Sequence, residues 1–260
     1  MINYTNVLKI DSNKFINCES IQKGYNIPNI IHQTFCSKLL PIQIVETIKN
    51  NKKKCKNCKF YFYDDEDCDN LIKNNFNELV YNAYKKINPA YGAMRADFFR
   101  YCVLYLYGGI YLDIKSKINI SIFSIIKKED TCILDLPRNN LEIWRKNMPT
   151  YEQWLLIFSP RHPYLLSMIK LMLKYINENY VPISIDGILL SRKGVILNLT
   201  GPDAFTLAIN SFIKSNNIEL HRNINYCKYF SLNENSNYRN MYKINNKKHY
   251  SEVNEPIYLN

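Results

Sequence analysis

Asp97 and Arg100 stand three residues apart; a glycine pair, Gly108 and Gly109, follows, and then a short apolar run that reaches Asp113, with Lys115 two residues on. On a helix, a three-residue spacing puts an acid and a base on one face, here in line with Ala93 and Leu104. Two readings of that pair are open: an ordinary surface ion pair, or a pair facing a pocket and holding the hydroxyls of a polar ligand. On a strand, alternation puts Tyr111, Asp113 and Lys115 on one side and Ile110, Leu112 and Ile114 on the other. Asp113 is then either a structural carboxylate at a strand tip or a ligand-binding one. The protonated lysine beside it cannot ligate a metal.

These side chains need a helix, a sharp reversal and a buried strand to position them. Pro89 can open the helix, Met94, Phe98, Tyr101, Cys102 and Tyr105 give it apolar contacts at helical spacing, and the two glycines end it. Positive φ at those glycines permits the turn, or the close approach of a ligand to the backbone. Further buried-strand patterns fall at residues 27–35, 59–63, 110–113, 132–136, 154–158 and 195–199. Helical periodicity covers 41–49, 68–73, 76–86, 90–106, 163–177 and 202–214. Strands alternating with helices predict an α/β fold with a largely parallel sheet, whose ligands bind beyond the carboxyl ends of the strands. With no repeat and no long linker, residues 1–260 read as one domain, its core running from about residue 27 after an extension at 1–26.

Hydrophobic residues make up 47% of the chain, enough for a large core. Lysine and arginine number 34 against 23 acidic residues, and the net charge of +11 favours anionic partners. A basic surplus alone does not make a nucleic-acid binder, and no aromatic-basic recognition motif accompanies the run at 49–59 or the one at 243–248. Both read as solvated surface, as do Asp64, Asp65, Glu66 and Asp67 in a helical first turn. The start lacks an apolar leader and no stretch is long enough to span a bilayer, so a cytoplasmic chain with mostly free thiols is expected. Cys55 and Cys58 form a lone CxxC with Cys68 as the nearest third thiol, short of the four ligands a structural zinc takes. The sequons at Asn3, Asn119 and Asn198 carry little weight without a secretory route.

Ala96, Asp97, Arg100, Gly108, Gly109, Tyr111 and Asp113 stand in the register of an Asp-x-x-Arg helix followed by Gly-Gly-x-Tyr-x-Asp-x-Asp. The segment resembles the core signature of DXD-type glycosyltransferases, specifically family 32 of Och1-like mannosyltransferases and capsular polysaccharide sugar transferases, related to the clostridial toxin glucosyltransferases. Lys115 stands where the second aspartate is usual. The likeness runs on, in order, through "IPNIIHQTF", "YFYDDED", "FSPRHPYLLSMI", "LTGPDAFTLAI" and the closing "KKHYSEVNEPIY".

The resemblance implies a GT-A-like, Rossmann-like sheet and transfer of a sugar from a UDP- or GDP-linked donor to an acceptor hydroxyl, with retention. The acceptor would be a glycan, a glycolipid or a protein. Asp97 and Arg100 would hold donor-sugar hydroxyls, and His32, Gln33, Thr34 and Phe35 would line the nucleoside pocket, with Tyr111 contributing to donor binding. Asp113 would bind the ribose or, with His249, a Mn²⁺ or Mg²⁺ ion bridging the diphosphate; Lys115 either adds its charge to a phosphate or partly replaces the metal. Thr200, Gly201 and Pro202, expected after a strand and at the start of a helix, offer free amides to an anion or a sugar hydroxyl, or simply cap a turn. The missing second aspartate leaves open a catalytically impaired relative that binds sugar nucleotides or a glycan.

Overall fold

The structure, a computed structural model, describes residues 24–137, 149–232 and 249–259. Most of the 1–26 extension, the Asn3 sequon, Cys18 and the basic run at 243–248 fall outside them.

Strand β1 (Ile30–Thr34) is buried along its whole length, and β2 (Lys59–Tyr63) pairs with it in parallel from Ile30–Lys59 to Thr34–Tyr63. The crossover between them is α1 (Ile42–Lys54), which ends on Lys52, Lys53 and Lys54, cations that suit a helix C-terminus. The acids at 64–67 start α2 (Asp65–Asn75) through a reciprocal capping box between Asp64 and Asp67. Asn77 caps α3 (Glu78–Lys86) by accepting the Val80 amide.

Helix α4 (Gly92–Tyr107) is buried at every position from Asp97 to Leu106. Instead of showing one apolar stripe it is sunk in the core, so an ion pair on it cannot be a surface ornament. Pro89 lies in the turn before it rather than in its first turn. Gly108 and Gly109, at φ +61° and +90°, reverse the chain into β3 (Gly109–Leu112). A Cβ on Gly108 would lie 2.6 Å from Pro160 N, and one on Gly109 2.6 Å from Ile30 O. The close neighbours that the glycines admit are therefore protein atoms.

There follow β4 (Ser116–Ile118), β5 (Cys132–Asp135), β6 (Leu155–Phe158), α5 (Pro163–Asn177) and the hairpin of β7 (Ser184–Ile185) and β8 (Ile188–Leu189). Helices α6 (Arg192–Leu199) and α7 (Pro202–Asn216), then β9 (Arg222–Ile224) and β10 (Phe230–Leu232), complete the order. The main sheet runs β2-β1-β3-β6-β5-β9. Its pairings are parallel except those of β6, which is antiparallel to both neighbours. Alternation sorts the two faces: Tyr111, Leu134, Leu156 and Phe158 join the cluster containing α4, α5 and α7 residues, while Ile31, Ile110, Leu112, Ile133 and Ile157 pack on the other side with Ile118, Ile122 and Phe230.

The mostly parallel α/β sheet matches the expectation, and five of the six expected strands form. Residues 195–199 do not: they belong to α6, whose start is capped by Ser191 accepting the Gly194 amide. A short apolar run fits a buried strand or a buried helix equally, and here Val195, Ile196 and Leu199 are its buried side chains at helical spacing. The 200–203 loop accordingly links two helices, with Pro202 in the first turn of α7 as expected. Strand β9 carries no apolar pattern and was not foreseen; Arg222 anchors it through paired bonds to Asp130 at 2.8 and 2.6 Å.

Candidate functional site

A cleft of about 280 Å³ opens at the carboxyl ends of β1 and β3, near the lower end of the range for small-molecule sites. Thr34 and Phe35 enter it from β1, Tyr111, Asp113 and Lys115 from β3 and the turn after it. Because β6 runs the opposite way, its start brings Glu152, Gln153 and Trp154 to the same rim. The first nine residues of α4 supply Arg95, Asp97 and Arg100, and Pro202 and His249 also line the cleft.

Arg100 is the hub. Its Nη2 lies 3.1 Å from Asp97 Oδ1 and 3.4 Å from Asp113 Oδ1, and its Nη1 donates to the Gln153 carbonyl at 2.6 Å. The guanidinium stacks 4.5 Å from the centre of the Tyr111 ring. Burial opposes the Arg100 charge, yet Tyr111, Asp97 and Asp113 around it hold its pKa above the ordinary value. Its buried Nε has no hydrogen-bond partner among the described residues, and such a donor in a cleft is commonly satisfied by a ligand or water.

Asp97 is also buried, at 5% exposure. Burial pushes its carboxyl up to about 6, against the pull of the Arg100 charge and of the Thr200 hydroxyl, which donates to Oδ2 at 2.7 Å. Thr200 is thereby a positioning residue for Asp97 rather than part of the cleft wall, and its carbonyl sits 3.0 Å from the Tyr101 hydroxyl. That hydroxyl also bonds Gln153 Oε1. Gly201 does not line the cleft; a Cβ there would come within 2.6 Å of Leu197 Cα, so it serves the tight α6–α7 junction.

The strand does not carry on through Lys115 as the alternation argument assumed. β3 stops at Leu112, Asp113 donates its amide to the Trp154 carbonyl at 2.8 Å, and a turn closes as the Ser116 amide reaches Asp113 O at 2.9 Å. Asn51 then clamps β4, donating to Ser116 O and accepting from Ile118 N, both at 2.9 Å. The turn, and not a shared strand face, brings Asp113 and Lys115 to one cleft.

Of the four β1 residues expected at the nucleoside, Thr34 and Phe35 line the cleft, whereas His32 and Gln33 do not. His32 is tied beneath it: Nε2 donates to the Gly108 carbonyl and Nδ1 accepts from the Tyr63 hydroxyl, both at 3.1 Å. Burial lowers its pKa to about 4, with the Gly108 bond opposing, which keeps the ring neutral. Gln33 is likewise buried. Gln153, Trp154, Glu152 and Arg95 were not anticipated, and Asp65, expected as solvated surface, also lines the cleft.

His249 reaches the cleft, its Nδ1 2.7 Å from Ser251 Oγ. Among the described residues, however, no group of three or more His, Cys, Asp or Glu side chains is arranged to hold a metal ion. Both oxygens of Asp97 are engaged, Asp113 already faces Arg100, and a lysine occupies the second position after it. With a lysine at 115, the protein offers a divalent cation at most Asp113 and His249, one carboxylate fewer than a DXD pair.

Residues 32–132 match the family model described as "Glycosyltransferase sugar-binding region containing DXD motif". An uncharacterized glycosyltransferase of Acanthamoeba polyphaga mimivirus, L373, is 39% identical over 95 residues, 34% of this chain and 35% of that protein. The mannosyl phosphorylinositol ceramide synthase CSH1 of Saccharomyces cerevisiae is 29% identical over 163 residues, 60% of this chain and 38% of that protein. The matches thus span little more than a third of these relatives' lengths. The PaToxG glycosyltransferase shares the fold, with a TM-score of 0.53, 16% identity and 78% of each chain covered. No helix among the described residues is long and apolar enough to cross a membrane.

Proposed function

We propose that this chain, whose residues 32–132 match the model of glycosyltransferase sugar-binding regions containing a DXD motif, acts as one domain and transfers a sugar from a nucleoside-diphosphate donor to an acceptor hydroxyl with retention. The observation that carries the reading is the convergence of Asp97, Arg100 and Asp113 on one cleft at the carboxyl edge of a mostly parallel sheet.

Cleavage of the anomeric carbon–oxygen bond builds positive charge on the sugar ring and negative charge on the departing diphosphate. Asp97 and Arg100, fixed against Thr200, Gln153 and Tyr111, orient sugar hydroxyls, and such positioning alone supplies several kcal/mol of barrier lowering. Asp113, at the strand tip, takes the ribose. Phe35 and Trp154, both lining the cleft, offer apolar surface for base and sugar. The mannosyl group in the yeast relative's name supports a hexose donor, linked to UDP or GDP. A glycan, glycolipid or protein supplies the acceptor hydroxyl, in the cytoplasm.

The deciding measurement is a thermal-shift panel of UDP- and GDP-sugars, followed by assay of nucleoside diphosphate release with acceptor. Stabilisation that depends on base and sugar, and then release, supports transfer. Stabilisation without release under any acceptor indicates a binding protein instead, and no stabilisation by any donor sinks the reading.

Donor affinity should also depend on pH. Asp97 protonates as pH falls through about 6 and loses the charge that accepts sugar hydroxyls. Affinity for the cognate nucleotide sugar is therefore expected to rise with pH through a single step near 6 and then level off. Calorimetric titrations from pH 5 to 8 check this, and Asp97→Asn should bind weakly with that step absent.

A further inference from the structure

We propose that Lys115 takes over the work of the divalent cation in this chain, so that the donor diphosphate is bound and released without a metal. The inference rests on the transferase reading above and concerns how its leaving group is stabilised.

Three observations point the same way. The chain reads Asp113-Ile114-Lys115 inside the stretch matched to a DXD-containing region. A lysine in place of an aspartate makes that position two charge units more positive, the charge a divalent ion would bring. Within the group of Asp97, Arg100, Asp113 and Lys115 the charges then balance, two against two, while Asp65, Glu152 and Arg95 line the rest of the cleft. An aspartate at 115 would leave a surplus of two negative charges there, which an anionic diphosphate could approach only with a cation between.

The second observation is geometric. Residue 115 sits in a turn pinned at both ends, by the Ser116 amide on Asp113 O and by Asn51 on Ser116 and Ile118. Its half-buried side chain lines the cleft beside Asp113. The pinned turn fixes the Cα from which the side chain starts, at the edge of the cleft and next to Asp113.

The third is the donor set. The aspartate that would be a metal ligand is instead 3.4 Å from Arg100, and the described residues offer no cluster of three or more ligands. Asp113 then fixes the guanidinium and the ribose, and the cation facing the diphosphate is the ammonium. In the transfer step the bond between the anomeric carbon and the diphosphate oxygen breaks, its electron pair staying on that oxygen. The acceptor oxygen bonds to the anomeric carbon, and the acceptor proton passes to the departing diphosphate. Lys115 remains protonated throughout, its hydrogen bonds strengthening as the phosphate charge grows.

The test uses UDP and GDP as probes in calorimetric titrations of the purified chain, with EDTA or with Mn²⁺. The unaltered chain is expected to bind its preferred diphosphate equally under both conditions, within about twofold. Lys115→Asp is expected to bind about tenfold more weakly or worse in EDTA and to recover with Mn²⁺. Mn²⁺ itself, followed by its electron paramagnetic resonance, should associate with the Lys115→Asp complex and not with the unaltered one. A tenfold or greater loss on adding EDTA to the unaltered chain overturns the inference and leaves the transferase reading standing. So does a Lys115→Asp variant with unchanged binding in EDTA, while the EDTA titration of the unaltered chain stands whether or not that variant folds. If neither diphosphate binds under any condition, the inference and the transferase reading fail together.

Discussion

Arg100→Ala should lose both transfer and a large part of the protein's stability. The guanidinium is the one cation within 3.5 Å of both Asp97 and Asp113 among the described ion pairs. Its removal leaves a buried carboxylate uncompensated and drops the bonds to the Gln153 carbonyl and the Tyr111 ring. Breaking a buried pair from one side typically costs about 3–5 kcal/mol, which in a chain of this size lowers the melting temperature by roughly 10 °C. Nucleoside diphosphate release should fall by about 10²–10³-fold or more, the usual cost of deleting one preorganised electrostatic group. Arg100→Lys keeps the charge but not the planar fork, so it should recover part of the stability and little of the rate. Melting curves beside release assays separate the two effects; an Arg100→Ala protein with the original melting point and turnover would contradict the site described here.

Gly109→Ala should be strongly damaging although it lies outside the cleft. At φ +90° an added Cβ meets Ile30 O at 2.6 Å and Ile30 Cβ at 3.2 Å, and Ile30 belongs to fully buried β1. Neither neighbour is the far end of a flexible side chain, so β1 and β3 must separate. We expect a loss of about 3–5 kcal/mol, combining backbone strain with overpacking. Gly187→Ala is the matched comparison, for Gly187 has φ +79° with nothing within 4 Å of its virtual Cβ. It should cost only the conformational part, about 1–2 kcal/mol. Urea denaturation of both variants measures the difference, and equal losses would show that the contact with β1 does not matter.

Much of this arrangement was visible in the residues. The α5 boundaries at 163 and 177 could be read directly, because Pro163 suits a first turn and the apolar spacing that follows is unambiguous. The Asp97–Arg100 spacing and the double glycine likewise described a helix face and a reversal that local geometry dictates. What stayed hidden depends on other parts of the chain. Nothing in "YEQW" says that β6 runs against its neighbours and so delivers Gln153 and Trp154 to the carboxyl edge. Thr200 was sought for backbone amides, whereas its hydroxyl acts on Asp97 from 103 residues away. The resemblance places His32 in the nucleoside pocket, yet Tyr63 and Gly108 claim both its nitrogens.

The wide separation of those partners has a consequence for how the protein comes into being. A chain leaving the ribosome has already made Asp97, Arg100 and Asp113 when Gln153 and Thr200 are still unsynthesised, and it is those later residues that fix Arg100 and Asp97. For that interval one acid and one base lie in an apolar helix, with the second acid just past the next strand, all without their anchors, and loop closure across many residues must follow before they settle. Fragments ending before residue 200 should therefore be unable to retain a nucleotide, however well their early strands pair, and the competence to bind arrives only once Thr200 has been made rather than growing with length.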